Sequence, residues 1–364
     1  MSQKIKVIVV GGFLGAGKTT LLWKAAQQLF KSGKRVGIIT NDQAPELVDS
    51  ALLTSHGFTV AEVSGSCFCC NFEGFINAIQ QFNIDCKTDY VMAEPVGSCT
   101  DLSATIMQPL KQYWREMISL APLSVLTDTE RLNMILDGGN AGLHEDAAYI
   151  FRKQLEESDI IVITKTDLLT ASQIVELVNK TKQVYPDSFI MTVSALTGEG
   201  VDAWLDEVFR LEEAGNKLVA VDYDVYARGE AVLGWLNGTI SLSGKSTDWD
   251  VFIRSFMHDL CAGLEKNALP IGHVKAILEN DSEAVMVNFT GGAHTFSVRG
   301  VAGTSEMCKL IINARVETSP EILDAIVRTT LHAHTTDLSC KEIAWKYLQP
   351  GRPNPTYRFN EVVN

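Results

Sequence analysis

The apolar run Ile5–Val10 leads directly into Gly12–Thr19, which spells G-x-x-x-x-G-K-T, and from there into a helical stretch over Thr20–Leu29. Strand, glycine loop and helix in that order make a phosphate cradle, and no other feature of the chain constrains its fold as much. Gly12, Gly15, Ala16 and Gly17 supply backbone N–H groups that can turn towards the β- and γ-phosphates. Lys18 adds a positive charge, the Thr19 hydroxyl can ligate Mg²⁺, and Thr20 follows in the first helical turn. The expected ligand is a nucleoside triphosphate.

Short β-branched runs alternate with longer helical stretches up to about residue 210. Strands are expected over Lys4–Val10, Arg35–Thr40, Tyr90–Ala93, Leu123–Thr127, Ile160–Thr164 and Phe189–Val193. Continuous apolar runs of this kind suit strands covered on both faces, so the fold class is α/β. A mainly parallel sheet with helices on both faces would place its functional loops at the strands' C-terminal ends.

The pattern breaks at the polar stretch Glu212–Lys217, which suggests domains over residues 1–214 and 215–364. The second reads as a smaller α+β domain. Strands are expected over Leu218–Tyr226, Ala231–Leu242, His273–Leu278, Ala284–Phe289 and Leu310–Val316. One helix is expected from the spacing of Trp249, Phe252, Ile253, Phe256, Met257, Leu260 and Leu264, and another opens at Ser319-Pro320-Glu321. A further helix is expected over Lys341–Leu348, before a Pro-rich, extended tail from Arg352.

At 364 residues with 46% hydrophobic side chains, the chain has enough apolar material for two cores without staples. Its 31 basic and 44 acidic side chains leave a formal charge of −13. That balance disfavours nucleic acid or an anionic membrane as a partner and suits a cation. No apolar stretch reaches the ~18 residues of a membrane span, and Ile5–Val10 reads as a buried strand and not as a signal peptide. The expectation is a cytoplasmic protein whose eight cysteines are thiols or metal ligands.

Two short motifs bear on the base. Thr164-Lys165-Thr166-Asp167 follows the fifth expected strand, and Ser194-Ala195 follows the sixth. The Asp167 carboxylate can accept from guanine N1–H and N2–H, the Lys165 stem can cover the base, and the Ala195 amide can donate to O6. Adenine has no N1 donor, which makes guanine the preferred reading. Glu94, at the end of the third expected strand, can hold Mg²⁺ directly or through water, and the Gly97 amide can sense the γ-phosphate.

Three of the eight cysteines, Cys67, Cys69 and Cys70, lie within four residues after Gly65-Ser66, between the second and third expected strands. Thiolates at i, i+2 and i+3 can converge on one soft or borderline cation; buried apolar thiols or a redox pair are the alternatives. Cys99, just past Gly97, is a further thiol that could enter the metal's sphere when the nucleotide changes, a plain semi-buried cysteine being the preferred reading. His332-Ala333-His334 is the nearest approach to a histidine cluster, and it reads as a surface pair.

With Gly12–Thr19, Cys67–Cys70, Glu94–Gly97, the strand-end Asp128, Thr164–Asp167 and Ser194-Ala195 in place, the first ~210 residues resemble the CobW-type P-loop GTPases, relatives of the hydrogenase- and urease-maturation GTPases. The resemblance implies GTP hydrolysis with Lys18, Glu94 and Gly97 as its machinery and Glu94–Gly97 as a switch. It also implies a signature metal site at Cys67, Cys69 and Cys70. Asp42 matches the acidic member of the family's Asn-Glu pair and could serve Mg²⁺ or the carried metal. Thr164 stands where the family usually has Asn, removing an amide that would brace the loop and contact the base.

The combination suggests a slow GTPase that carries a transition metal, Zn²⁺ before Co²⁺, to a client apo-metalloprotein or cofactor-biosynthesis enzyme, with a homodimer allowed. A metal- or redox-sensing regulatory GTPase and an ATP-dependent small-molecule kinase remain open beside it.

Overall fold

The computed structural model describes residues 4–42, 59–86, 88–280, 283–291 and 296–363. Among these, the chain divides into two compact units. The first holds residues up to Gly229 together with the tail from Arg352, and the second is Glu230–Gly351. The chain passes from one to the other inside helix Tyr223–Ala231. The expected break at Glu212–Lys217 therefore comes early: residues 215–229 and the tail belong with the phosphate-loop unit.

In the first unit β1 (Ile5–Gly12), β2 (Val36–Asp42), β3 (Thr59–Ser64), β4 (Tyr90–Glu94), β5 (Ile118–Leu120), β6 (Ser124–Asp128), β7 (Ile160–Thr164) and β8 (Phe189–Val193) form one sheet. The order is β3-β2-β4-β1-β6-β7-β8, with β5 also on β1, and every pairing is parallel. Every residue of β6 and β7 is buried, as strands sandwiched between helices require. Because the strands share one direction, Gly12, Glu94, Asp128, Thr164 and Val193 all finish at the same sheet edge. β3 and β5 escaped the sequence reading, since β3 is mostly half-exposed and β5 has three residues. The cysteine loop consequently follows β3 and precedes helix Phe72–Cys86, and is not a direct β2-to-β4 connection.

The second unit is a six-stranded antiparallel sheet of β9 (Leu233–Asp248), β10 (Ile271–Glu279), β11 (Ala284–Phe289), β12 (Ser297–Val301), β13 (Thr304–Glu317) and β14 (Ser339–Leu348), in order β12-β11-β10-β13-β9-β14. Helix Trp249–Lys266 buries the whole expected stripe from Trp249 to Leu264 in the core it shares with the sheet. Each such side chain is worth about 1.5–3 kcal/mol on burial. Asp248 caps this helix through the Asp250 and Val251 amides, and Ser319 caps helix Pro320–His334 through that of Ile322. His334 pairs with Asp259 at 2.9 Å.

Two expectations fail here. Leu218–Tyr226 is not a strand; it is irregular up to Asp222 and then enters helix Tyr223–Ala231. Lys341–Leu348 is not a helix. It lies in β14, an edge strand paired with β9 from Ser339 to Leu348, where ladder hydrogen bonds override the helical propensity of its Lys, Glu, Ala and Leu residues.

Glu157 is fully buried in the first unit, its carboxylate accepting from Thr100 Oγ1 at 3.0 Å and Ser103 N at 2.9 Å. Burial pushes it from 4.5 to about 8. The folded state therefore holds a proton that the unfolded chain releases near pH 4.5, and stability should decline as pH rises from there through about 8. Chemical denaturation at pH 5 and pH 8.5 checks this. Glu157→Gln, which cannot ionise, should flatten the difference.

Candidate nucleotide and metal site

The loop after β1 has its shape because glycine alone fits. Gly12 sits at φ 127°, and a Cβ there would lie 2.3 Å from the Leu126 carbonyl oxygen on β6. Gly15 and Gly17 also take positive φ, 76° and 91°. Gly17 is the N-cap of helix Lys18–Lys31 and has no capping side chain, which leaves the helix's N-terminal amides to an anion. Lys18 is buried, its Nζ donating to the carbonyls of Gly12 (2.8 Å) and Phe13 (3.3 Å) and lying 4.0 Å from Glu94. Thr19 Oγ1 donates to Glu94 at 3.0 Å. β4 neighbours β1 in the sheet, and this pairing brings a residue 75 positions away to the phosphate loop.

Gly97 packs on the same loop. A Cβ on it would lie 2.6 Å from Leu14 Cδ2 and 3.1 Å from Leu14 N. Its carbonyl accepts from Gln154 Nε2 at 3.0 Å, and the same amide donates to the Cys99 carbonyl at 2.7 Å. Arg131, which the sequence reading passed over, donates from Nη1 to the Leu14 carbonyl and stacks its guanidinium 5.8 Å from the Phe13 ring. Its position in the first turn after the strand-end Asp128, whose carboxylate accepts from the Arg131 amide, was the available signal.

At the far side of the sheet edge, Ser194 Oγ donates to Asp167 Oδ1 at 2.5 Å. Lys165 takes φ 60° and is largely buried, and burial lowers its pKa. Ala195 and Ser194 are buried at the end of β8. Thr164 does brace the phosphate loop, by its hydroxyl instead of an amide: Oγ1 donates to the Ala16 carbonyl at 2.8 Å. Thr20 lies on helix Lys18–Lys31. Asp42 ends β2, and its side chain lies outside the described residues.

The three thiols of the cysteine loop converge. Cys67 Sγ is 2.9 Å from Cys69 Sγ and 3.2 Å from Cys70 Sγ, and the last two are 3.8 Å apart. Among the described residues this is the one group of three or more His, Cys, Asp or Glu side chains whose ligand atoms lie within 4.8 Å of each other. Tetrahedral zinc with sulfur at about 2.3 Å needs sulfurs about 3.8 Å apart, so spreading the cluster by under an ångström would seat the ion. Hydrogen bonding with the Cys69, Cys70 and Cys99 thiols holds Cys67 well below the usual thiol range. Its partners move the other way, Cys69 well up and Cys70 to about 11. Asn41 shapes the loop's entry, donating to the Val63 and Ser66 carbonyls and accepting from the Phe68 amide at 2.8 Å.

The C-terminal tail straps the loop. The Asn354 amide donates to Cys70 Sγ at 3.2 Å and the Thr356 amide to the Cys69 carbonyl at 2.8 Å. Tyr357 packs on Phe72, and Arg358 Nε donates to buried Asp101 at 2.7 Å. Burial pushes Asp101 up, while Tyr223 and Arg358 pull it back. Losing a charged hydrogen bond worth about 1.5–3 kcal/mol should loosen the strap roughly tenfold or more. Arg358→Ala is accordingly expected to accelerate alkylation of half-buried Cys70 by that factor, read by mass spectrometry.

A glycine loop joining a strand of a parallel sheet to a helix, with a lysine, a Mg²⁺-ligating type of hydroxyl and a carboxylate beside it, defines a P-loop nucleotide-binding protein. The chain belongs to the CobW/HypB/UreG family, whose nucleotide-binding domain matches residues 6–191, just over half of it. It is similar to a zinc chaperone CobW of a Sinorhizobium species, 25% identical over 46% of this chain and 53% of the relative. It is also similar to the zinc-regulated GTPase metalloprotein activator 1 of Dictyostelium discoideum, 23% identical over 52% of this chain and 46% of the relative. The chain thus spans about half the length of the curated relatives it matches. Among solved structures, the hydrogenase maturation factor HypB of Archaeoglobus fulgidus aligns at 17% identity and TM-score 0.40, covering 56% of this chain and 88% of that one. A zinc-bound YjiA GTPase from E. coli aligns at 15% and 0.36, covering 90% and 99%. Among the described residues no helix is long and apolar enough to cross a membrane.

Proposed function

We propose that the protein is a GTP-hydrolysing metallochaperone. It would bind one transition-metal ion, Zn²⁺ before Co²⁺, through Cys67, Cys69 and Cys70 and pass it to a client metalloprotein or cofactor enzyme. The observation that carries this reading is the convergence of three thiols in the same compact unit as the phosphate loop. The zinc-handling relatives support it.

In this reading Lys18 and the loop amides hold the β- and γ-phosphates, Thr19 and Glu94 hold Mg²⁺, and Gly97 reports the γ-phosphate. GTP loss would move the Gly97 segment against Leu14. A coupling of only ~1.4 kcal/mol between that movement and the thiols changes metal affinity tenfold. Asp167, oriented by Ser194, would select guanine. Asp167→Asn should then lower the preference for GTP over ATP by roughly 10- to 100-fold, as loss of a charged hydrogen bond of about 1.5–3 kcal/mol requires. Competition binding with the two nucleotides measures it.

The test of the whole reading is GTP and ATP hydrolysis titrated with Zn²⁺, Co²⁺, Ni²⁺ and Fe²⁺, in the wild-type chain and in Cys69→Ser. GTP turnover that responds to one metal and loses the response in Cys69→Ser is the expected result. Turnover indifferent to metal and to the mutation would sink it.

A further inference from the structure

The tail from Arg352 has no helix or strand of its own, yet it is fixed to the phosphate-loop unit along its length. Arg352 pairs with Asp224 at 2.7 Å, the Phe359 amide donates to the Ala104 carbonyl at 3.1 Å, and the Val363 amide donates to Gln108 Oε1 at 2.8 Å. The Ala104 carbonyl is open to the tail for a local reason. Ser103–Met107 is a π-helical turn, in which the partner of Ala104 would be residue 109, and Pro109 has no N–H to give. At its near end the tail lies on Cys69 and Cys70. Cys70 is the least buried of the three thiols, so the way from solvent to the cluster passes the tail.

The residue that latches the tail belongs to the segment carrying Gly97. Asp101 stands four positions further on, is 1% exposed and takes φ 66° without being glycine. Its Oδ2 accepts from both Tyr223 and Arg358, while Oδ1 is buried without a partner. A left-handed backbone and an orphan oxygen persist only where the surrounding fold imposes them, and the second is relieved once Arg358 lets go and the carboxylate reaches water. Between Gly97 and Asp101 the segment is tied to one helix. Gln154 holds the Gly97 and Cys99 carbonyls, and Glu157, the C-cap of helix Glu145–Glu156, holds Thr100 and Ser103. Gly97 and Asp101 are thereby joined into one piece.

We propose that the tail is a nucleotide-controlled cover on the thiols, with Arg358 and Asp101 as its latch. The γ-phosphate, drawing on the Gly97 amide, shifts Asp101 and frees the tail, so that the ion is exchanged in the GTP state and retained in the GDP state. This rests on the metal-binding reading above for what passes the cover. The tail supplies no thiol, so it sets how fast an ion enters and leaves and not how tightly it is held.

The experiment follows removal of Zn²⁺ from the loaded full chain by a chromophoric chelator, with a GTP analogue or GDP bound. Wild type is compared with Arg358→Ala and with Tyr357→Ala, which unseats the tail from the Phe72 and Tyr113 rings; fluorescent-GTP binding verifies folding. Alkylation of Cys70 in the metal-free wild type, with the same two nucleotides, is a measurement that no misfolded variant can confuse. In wild type both rates should be about tenfold higher with the GTP analogue, the effect of a modest coupling between sites. Both variants should release zinc at the fast rate with either nucleotide, while zinc affinity stays within about threefold of wild type, short of a true coupling to binding. Wild-type rates that ignore the nucleotide, variants that keep the wild-type dependence, or a larger loss of affinity in both variants would each overturn the cover. A chain that takes up no zinc yet shows nucleotide-dependent alkylation would overturn the metal reading alone.

Discussion

Lys18→Ala is expected to lower GTP turnover by about 10²–10³-fold, the usual cost of removing one preorganised group that meets charge developing in a transition state. The Lys18 side chain is 6% exposed, and its ammonium is held at the loop by the Gly12 and Phe13 carbonyls. It is positioned before any ligand arrives, which is what makes its charge effective. Nucleotide affinity should weaken as well, because the same charge faces the ground-state phosphates. Lys24→Ala, on the same helix but beyond the loop, is the control and should retain wild-type turnover. Single-turnover hydrolysis with saturating nucleotide separates the two effects. Wild-type rates in Lys18→Ala would place hydrolysis elsewhere in the protein.

Cys67→Ser should cost about 100-fold in Zn²⁺ affinity. Binding free energies of about 10–16 kcal/mol for structural zinc, shared among four donors, put one thiolate at roughly 3 kcal/mol. The choice of Cys67 matters because it touches both of the other thiols of the cluster, Cys69 and Cys70. A serine hydroxyl keeps its proton and breaks that mutual contact. Competition against a chromophoric zinc chelator measures the change, with nucleotide binding retained as evidence of folding. An affinity within threefold of wild type would mean that the ion is held elsewhere.

The parts of the site that were legible in the chain are those in which chemistry and sequence neighbourhood coincide. Gly12–Thr19, Cys67–Cys70 and Thr164–Asp167 each put their functional groups within eight residues, so a motif suffices. The buried strands were legible for a related reason. β7 matches its expected bounds because a run covered on both faces is apolar throughout. Most edge strands were not legible, β8 with its apolar Phe189–Val193 being the exception. β3 and β14 are largely half-exposed or exposed, and their strand identity comes from the partner they pair with. The resemblance to the CobW-type GTPases singled out Glu94 and Gly97, which the structure places at Thr19 and Leu14 of the phosphate loop, and Thr164, whose hydroxyl bonds the Ala16 carbonyl in place of the missing amide.

Sequence alone determined that this chain has a phosphate loop on a parallel sheet, a cluster of three thiols and a second unit of α+β type. Each of these follows from local spacing, since glycine torsions, cysteine reach and apolar periodicity act over a few residues. Tertiary structure decided which distant groups meet: Glu94 at Thr19, Arg131 at Leu14, and Asn354 at a sulfur 284 residues away. Contacts of that range depend on strand order and on the path of the tail. Both are set by how whole surfaces bury one another, which no short window of residues encodes.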